Sequence, residues 1–205
     1  MTTSRMLGIS GLVVATTLTL ASCGSQNPDP SGDPTVSESG TNQSDGSGSG
    51  DATLSGWQEA KIDVARLHVP ADWSVLNPTA TGVGIAAPKD ELGFSPGGGS
   101  LVAGVHNGDP DVEASINGLA EQRLKNYQSD PNLSHVKRLP DVTVNGVLLA
   151  HVQWETAQTW DDEYLGVTAD GESTVGVVWQ FGKGDLDRAG ANDLTDPVME
   201  TFELI

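Results

Sequence analysis

Three histidines of the chain stand in stretches where apolar and polar residues alternate. They are His68, His106 and His151. Alternate side chains of a β-strand point to opposite faces, so each imidazole is predicted to face away from the apolar neighbours. Three imidazoles sharing one face would form a zinc or copper site, but only if their strands were neighbours. The sequence does not set strand order, so it predicts no metal and no cofactor and leaves these histidines as candidate ligands.

Acidic residues offer a second kind of chemistry. Asp161, Asp162 and Glu163 are consecutive and precede a predicted hairpin, where they could hold a hard cation at the surface. Three acids in a loop are more often simply solvated. The chain contains no Gly-x-Ser-x-Gly motif, and the glycines at 97–99 lack the Gly-Lys-Ser/Thr of a phosphate-binding loop. We therefore predict no catalytic residue.

Cys23 is the only cysteine, and it follows an apolar segment at 6–21 and a positively charged start at 1–5. This layout predicts a secretory signal peptide at 1–22, cleaved between Ser22 and Cys23. The apolar segment reaches only ~24 Å as a helix, less than the ~30 Å core of a bilayer. The residues Leu-Ala-Ser-Cys at 20–23 resemble the lipobox of bacterial lipoproteins. Thioether lipidation of Cys23 is predicted, the alternative being an ordinary secreted protein with an idle cysteine.

The chain then divides by composition. Residues 23–50 combine the lipidated cysteine with Ser, Gly, Asp and Pro, and this composition predicts a disordered linker that spans up to ~90 Å. Residues 51–205 are predicted to form a single domain. Of the 28 acids and 10 bases in the whole chain, 24 acids and 9 bases fall in this domain. Such negative charge repels nucleic acid.

Alternating hydrophobicity predicts the elements of this domain. Strands are expected at 65–70, 73–76, 82–87 and 100–106, followed by a helix capped by Asp109 with Pro110 at its first position. Two hairpins are expected at 142–154 and 164–181, turning at Asn145-Gly146 and at 170–171. A second helix is predicted to begin at Asp196-Pro197. Hairpin-linked strands with two helices favour an α+β fold, an antiparallel sheet flanked by helices.

The five tryptophans separate into two groups. Trp73, Trp154 and Trp179 fall on predicted strands in phase with apolar residues, so core packing is expected. Trp57 and Trp160 fall outside predicted strands, where they would cover the ends of the core or contact a glycan or a protein.

Three segments together resemble a known family. The stretches LHVPADWSVL at 67–76, VTVNGVLLAHVQW at 142–154 and METFEL at 199–204 are similar to small actinobacterial lipoproteins of the LpqN type, whose domain is PsbP-like. The resemblance covers most of residues 57–205 and consists of strand and turn patterns. It implies a central antiparallel sheet flanked by helices, and it carries no catalytic or metal-binding residue over to this chain.

These observations predict a lipoprotein at the extracytoplasmic face of the cell membrane, held there by its lipid and acting as a binding or interaction module in the bacterial envelope. Its expected partners are the membrane, through the anchor, and an envelope protein, a cell-wall glycan or a lipid, but not nucleic acid. The alternative is an envelope hydrolase or metal-dependent enzyme with an unmarked site. A deep pocket with converging His, Asp or Glu side chains would favour that alternative.

Replacing the predicted lipidation site tests the anchor. Cys23→Ala should release the protein from the membrane fraction or mislocalise it, because no thiol remains to carry diacylglycerol. Cell fractionation and mass spectrometry of the mature amino terminus measure this outcome. Tight membrane association of the variant, or a bare thiol in the natural product, would contradict the prediction.

Overall fold

Antiparallel strand pairing dominates the part of the chain that the structure describes, residues 55–108 and 111–205 of a computed structural model. Within these residues the chain forms ten strands and two helices. They are β1 (Trp57–Lys61), β2 (Ala65–Pro70), β3 (Ser74–Leu76), β4 (Gly82–Ala86), β5 (Gly97–Val105), α1 (Val112–Gln128), β6 (Ser134–Val144), β7 (Val147–Glu155), β8 (Thr159–Val167), β9 (Ser173–Gly182), α2 (Arg188–Met199) and β10 (Glu203–Leu204).

Several predicted features lie outside the described residues. These are the signal peptide at 1–22, Cys23, the linker to residue 50, and the helix-capping pair Asp109-Pro110. The domain boundary at residue 51 falls there too and stays a prediction. No helix in residues 55–108 or 111–205 combines the length and hydrophobicity needed to cross a membrane.

The strands form two sheets. The small sheet has the order β1-β2-β10, and the large sheet has the order β3-β4-β5-β9-β8-β7-β6. Every neighbouring pair is antiparallel. The predicted α+β class and antiparallel pairing are therefore confirmed, and the small sheet is an addition that the sequence did not predict.

Three layers result, because the large sheet is covered on both faces. On one face, Ile116 and Ala120 of α1 pack against Val152 and Leu165. The opposite face is covered by the small sheet and α2. There the core includes side chains from all three parts, among them Leu67, Val69, Val177, Trp179, Val198 and Phe202. The central strands of the large sheet consequently bury both of their faces.

Helix α1 begins two residues later than predicted. Its cap is Asp111, whose carboxylate accepts a hydrogen bond from the Ala114 amide at 2.9 Å. Glu113 in the first turn and Lys125 in the last complement the helix dipole. The predicted helix is thus confirmed over Val112–Gln128, and its capping residue is corrected from Asp109 to Asp111.

Helix α2 begins much earlier than predicted. Asp187 caps it by accepting a hydrogen bond from the Gly190 amide at 2.8 Å, and Pro197 lies inside the helix rather than at its start. The prediction took Asp196-Pro197 for a cap followed by the first helical residue. That was wrong because the buried side of the helix extends back to Ala191, so the helix is already formed when the chain reaches the proline.

Both predicted hairpins are present, joining β6 to β7 and β8 to β9. Asn145 and Gly146 have φ angles of 48° and 81°, the positive values that a type I′ turn needs. The Asn145 side chain also donates a hydrogen bond to the Phe202 carbonyl at 3.0 Å. The turn therefore fastens the hairpin to the segment that follows α2.

Core packing is confirmed for the three tryptophans assigned to it. Trp73, Trp154 and Trp179 are buried, and the rings of Trp73 and Trp179 meet edge to face with centroids 6.1 Å apart. Trp73 itself precedes β3 instead of belonging to it. The other two were misplaced, since Trp57 opens β1 and Trp160 lies on β8.

Strand β5 begins with three consecutive glycines, Gly97 to Gly99, three residues before the start of the strand predicted at 100–106. They pair with both β4 and β9. A Cβ on Gly98 would lie 2.1 Å from the Ile85 carbonyl oxygen, and one on Gly99 would lie 2.4 Å from the Trp179 ring. The neighbouring strand and the core thus approach too closely for any side chain here.

Alanine substitutions test this close approach. Gly98→Ala should lower the free energy of unfolding by ~1–3 kcal/mol, because its methyl group overlaps the backbone of β4. Gly118→Ala is the matched control. Gly118 lies within α1 with no atom within 4 Å of the added carbon, so the variant should gain ~0.5–1 kcal/mol from helix propensity. Urea unfolding measures both, and an unchanged Gly98→Ala midpoint would contradict the packing.

Candidate binding cleft

The structure does not bring the three candidate histidines together. His68 lies on β2 of the small sheet, His106 directly follows β5, and His151 lies on β7. Strands β9 and β8 separate β5 from β7, so the condition for a shared face is not met. Within the described residues no group of three His, Cys, Asp or Glu side chains is arranged to hold a metal ion.

Two of these histidines instead pair with single polar side chains. The Nε2 atom of His106 lies 2.9 Å from the Ser115 hydroxyl on α1. The Nε2 atom of His151 lies 2.8 Å from a carboxylate oxygen of Asp162 on β8.

The acidic trio of β8 is buried, contrary to the predicted surface loop. The exposed fractions of Asp161, Asp162 and Glu163 are 1%, 7% and 3%. All three belong to a strand covered on both faces, and alternation sends Asp161 and Glu163 towards α1 and Asp162 towards α2. Three consecutive acids look solvated in a sequence, and only the tertiary cover of the strand shows that they are not.

Asp162 is held by a network of hydrogen bonds on the α2 side of the sheet. One of its oxygens contacts His151 and accepts a hydrogen bond from the Gln153 amide at 2.9 Å. The other accepts a hydrogen bond from the Arg188 guanidinium at the start of α2. A buried carboxylate is tolerated when it is paired in this way, so Asp162 joins α2 to the sheet.

Glu163 makes the corresponding contact with α1. Its carboxylate accepts a hydrogen bond from the Tyr127 hydroxyl at 2.9 Å, and it forms an ion pair with Arg123 at 3.3 Å. Burial raises the pKa of Glu163 above its usual range, and the Arg123 charge only partly opposes this effect. Burial, together with the Glu163 charge, also raises the pKa of Tyr127.

Asp161 lies beside an open space on the same face. Its two oxygens accept hydrogen bonds from the Thr159 hydroxyl at 2.6 Å and from the Gln180 amide at 2.8 Å. Burial raises the pKa of Asp161, although both hydrogen bonds favour the charged form. Asp161 is only 1% exposed, so its carboxylate holds the Gln180 amide in place at the edge of this space instead of facing a ligand directly.

The open space is a cleft of about 670 Å³ between the large sheet and Leu133, in the segment that joins α1 to β6. Its floor is the glycine segment of β5 with Ala86 and Ser100, and its sides include Leu133, Trp154 and Thr156. Helix α1 packs on β6, β7 and β8. Beyond the helix, β4 and β5 carry the small residues Ala86, Gly98 and Ser100 on this face, so the surface there is hollow.

The polar groups of this cleft are few and almost all uncharged. Hydroxyl groups come from Ser95, Ser100 and Thr156, an amide comes from Gln180, and Asp161 is the single ionisable group among the lining residues that the structure describes. Without a lysine or arginine in that lining, a bound anion would have no countercharge. The site suits an uncharged ligand that donates hydrogen bonds and has apolar surface of its own.

Sequence reasoning did not identify this cleft. The run of glycines at 97–99 was the available signal, because consecutive glycines within a strand mark a close approach of backbone or ligand. Asp161, Gln180 and Thr156 come from three different segments, and only the pairing of β8 with β9 and β7 places them together.

The amino-acid sequence matches no protein-family model and no curated protein. Solved structures show distant likenesses. A chain from Bacteroides thetaiotaomicron is 17% identical with a TM-score of 0.41, and the match covers 69% of this chain and 45% of that one, less than half its length. LpqN of Mycobacterium tuberculosis, described as involved in cell envelope biogenesis, is 12% identical with a TM-score of 0.45, covering 68% of this chain and 82% of LpqN.

The second of these structures belongs to the family that the sequence patterns resemble. The likeness to LpqN is one of structure, and the two sequences are only 12% identical. At these values neither comparison defines a function for this chain.

The buried carboxyl of Glu163 should make stability depend on pH. Its pKa is higher in the folded than in the unfolded chain, so its stabilising contribution is complete below ~4.3 and is lost as pH rises through the folded value. Glu163→Gln cannot lose a proton. Its stability relative to wild type should therefore increase as pH rises from 4 to 7, measured by urea unfolding.

Glu121→Gln serves as the matched control, since it removes one negative charge from an exposed position of α1. If Glu163→Gln and wild type differed by the same free energy at every pH, the burial of this carboxyl would be disproved.

Proposed function

We propose that the protein is a lipid-anchored binding module at the extracytoplasmic face of the cell membrane, and that its cleft holds an uncharged glycan of the envelope. The anchor is Cys23, reached after removal of the leader, and the linker gives the domain freedom to move above the membrane. The chain carries 28 acids against 10 bases, which disfavours acidic ligands throughout.

The observation that carries the ligand class is the lining of the 670 Å³ cleft. A sugar presents hydroxyl donors at its edges and C–H groups on its faces. The exposed Gln180 amide, which Asp161 orients, can bond to these hydroxyls together with the side chains of Ser100 and Thr156. Leu133, Trp154 and the glycine floor supply apolar surface. Few precisely placed polar groups on a largely apolar wall are typical of a ligand site.

The alternative, an envelope hydrolase, is favoured by one contact. Ser115 and His106 lie 2.9 Å apart, the spacing of a nucleophile and its base, beside a depression of about 460 Å³. Ser115 is only 5% exposed, so a substrate carbonyl could reach its hydroxyl only after this region opened. Labelling of Ser115 by a fluorophosphonate, lost on His106→Ala, would support the hydrolase.

Titration with soluble neutral oligosaccharides tests the glycan site. The mature chain from residue 23, carrying Cys23→Ser, is titrated with oligomers of N-acetylglucosamine, arabinose or galactose and followed by ¹H–¹⁵N NMR. Backbone amides of Gly97 to Ser100 and the indole of Trp154 should shift, because they line the cleft. An acidic oligosaccharide of equal length should produce no such shift.

Paired substitutions on one strand locate the binding. Ser100→Phe fills the cleft from its floor and should weaken binding at least tenfold. Val105→Phe adds similar bulk at the far end of β5, outside the cleft, and should bind as wild type does. Shifts confined to other surfaces, or none with any neutral oligosaccharide, would reject the proposal.

A further inference from the structure

The loop joining β4 to β5 carries two large apolar side chains in solvent. Leu92 is 81% exposed and Phe94 is 69% exposed. We call residues 90–94 the apolar finger.

The apolar finger is held in shape by its own first residue. One carboxylate oxygen of Asp90 accepts hydrogen bonds from the amides of Leu92 and Phe94, each at 2.9 Å. The Asp90 amide donates to the Phe94 carbonyl at 2.7 Å, and the Gly93 amide donates to the Asp90 carbonyl at 3.0 Å. This closed loop keeps both apolar side chains pointing outward instead of letting them fold onto the domain.

The apolar finger lies at the same end of the molecule as the start of the described chain. The Ala71 amide donates to the Gly56 carbonyl at 2.8 Å, which places the start beside the segment leading into β3. Ser74 then pairs with Ala86, the last residue of β4, from which the finger loop departs. The segment that leads back towards Cys23 therefore joins the domain at the finger's end.

Other exposed apolar residues lie elsewhere. Val105 is 80% exposed, but it ends β5 and is separated from Gly97 by the length of the strand, about 26 Å at ~3.3 Å per residue. Ile205 is 51% exposed and its amide bonds to the Val64 carbonyl, at the other end of β2 from Pro70. Two large apolar side chains thus project where the chain leads to the predicted anchor.

We propose that the apolar finger inserts Leu92 and Phe94 into the outer leaflet of the bilayer to which the chain is tethered. This inference rests on the proposed membrane anchoring. The tether keeps the domain within reach of the lipid, and the two side chains then orient the domain on the surface.

The size of the finger favours lipid over a protein partner. A stable protein interface buries ~800 Å² on each side. One aromatic side chain buries ~150–250 Å² and a leucine buries less, so Leu92 and Phe94 together cover too little area for such an interface. A bilayer requires no complementary pocket. The contact is too small to hold a free domain on a membrane, but a tether raises the local concentration of lipid to the millimolar range or above.

Charge selects the kind of leaflet. Lys89, Asp90 and Glu91 lie on or beside the finger and sum to one negative charge. The contact is therefore one with uncharged or zwitterionic lipid, since an anionic leaflet would repel this end of the domain.

The single cysteine makes a direct test feasible. The mature chain from residue 23 is coupled through the Cys23 thiol to a maleimide phospholipid in phosphatidylcholine nanodiscs that contain a nitroxide-labelled lipid. Paramagnetic broadening is then measured at methyl groups by NMR. The Leu92 methyls should relax at least threefold faster than those of Val105, which lie at the opposite end of β5.

A pair of matched variants decides the result. Leu92→Ser with Phe94→Ser keeps the Asp90 carboxylate and should lose the orientation, so that the Ala86 methyl group beside the finger broadens no faster than the Thr174 methyl group at the far end of β5. Val105→Ser removes an equally exposed apolar side chain and should leave the broadening pattern unchanged. Equal broadening at both ends of the wild-type domain, or an unchanged pattern in the double variant, would overturn the proposal.

Two features keep the result interpretable. The ¹H–¹⁵N spectrum of each variant verifies that it remains folded, and Leu92→Ser alone replaces the double variant if it does not. Chemical coupling supplies the tether whether or not cells lipidate Cys23. A negative result here therefore counts against insertion of the finger into lipid, whereas fractionation of Cys23→Ala tests the anchor separately.

Discussion

Burial of the large sheet on both faces is the constraint on which the rest of the structure depends. Because α1 covers one face and the small sheet with α2 covers the other, all residues of strand β8 from Asp161 to Val167 are buried. Asp162 and Glu163 are accommodated only because Arg188 and Tyr127 reach them from the two covering layers. The same contacts that neutralise the cost of burying these acids therefore fix each helix to the sheet.

The hollow beside α1 follows from the incompleteness of that cover. The helix spans three strands, and the glycine segment of β5 brings the neighbouring strands into close approach without side chains above them. A floor of this kind is rigid, because its shape is set by paired backbone. Asp161 and Gln180 stand at its margin, already hydrogen-bonded to each other, so the polar groups of the cleft are oriented before any ligand arrives.

Local patterns predicted the elements well. The strand at Ala65–Pro70 and the turn at Asn145-Gly146 were predictable because alternation and positive φ angles are local properties. Helix α2 was misplaced because its start depends on buried contacts of Ala191 that no short pattern records. The acids of β8 and the cleft depend on which strands become neighbours, and strand order arises from long-range packing rather than from any single segment.

The pairing of β2 with β10 affects how the chain folds. Strand β2 has β1 on one side and β10 on the other, and Arg66 bonds to Glu203 across a separation of 137 residues. A sheet closed by so distant a strand folds slowly, since the cost of closing the intervening loop comes before the contact is made. During synthesis β2 must therefore wait with one edge unpaired until β10 has been made, an interval in which a chaperone or another copy could occupy that edge.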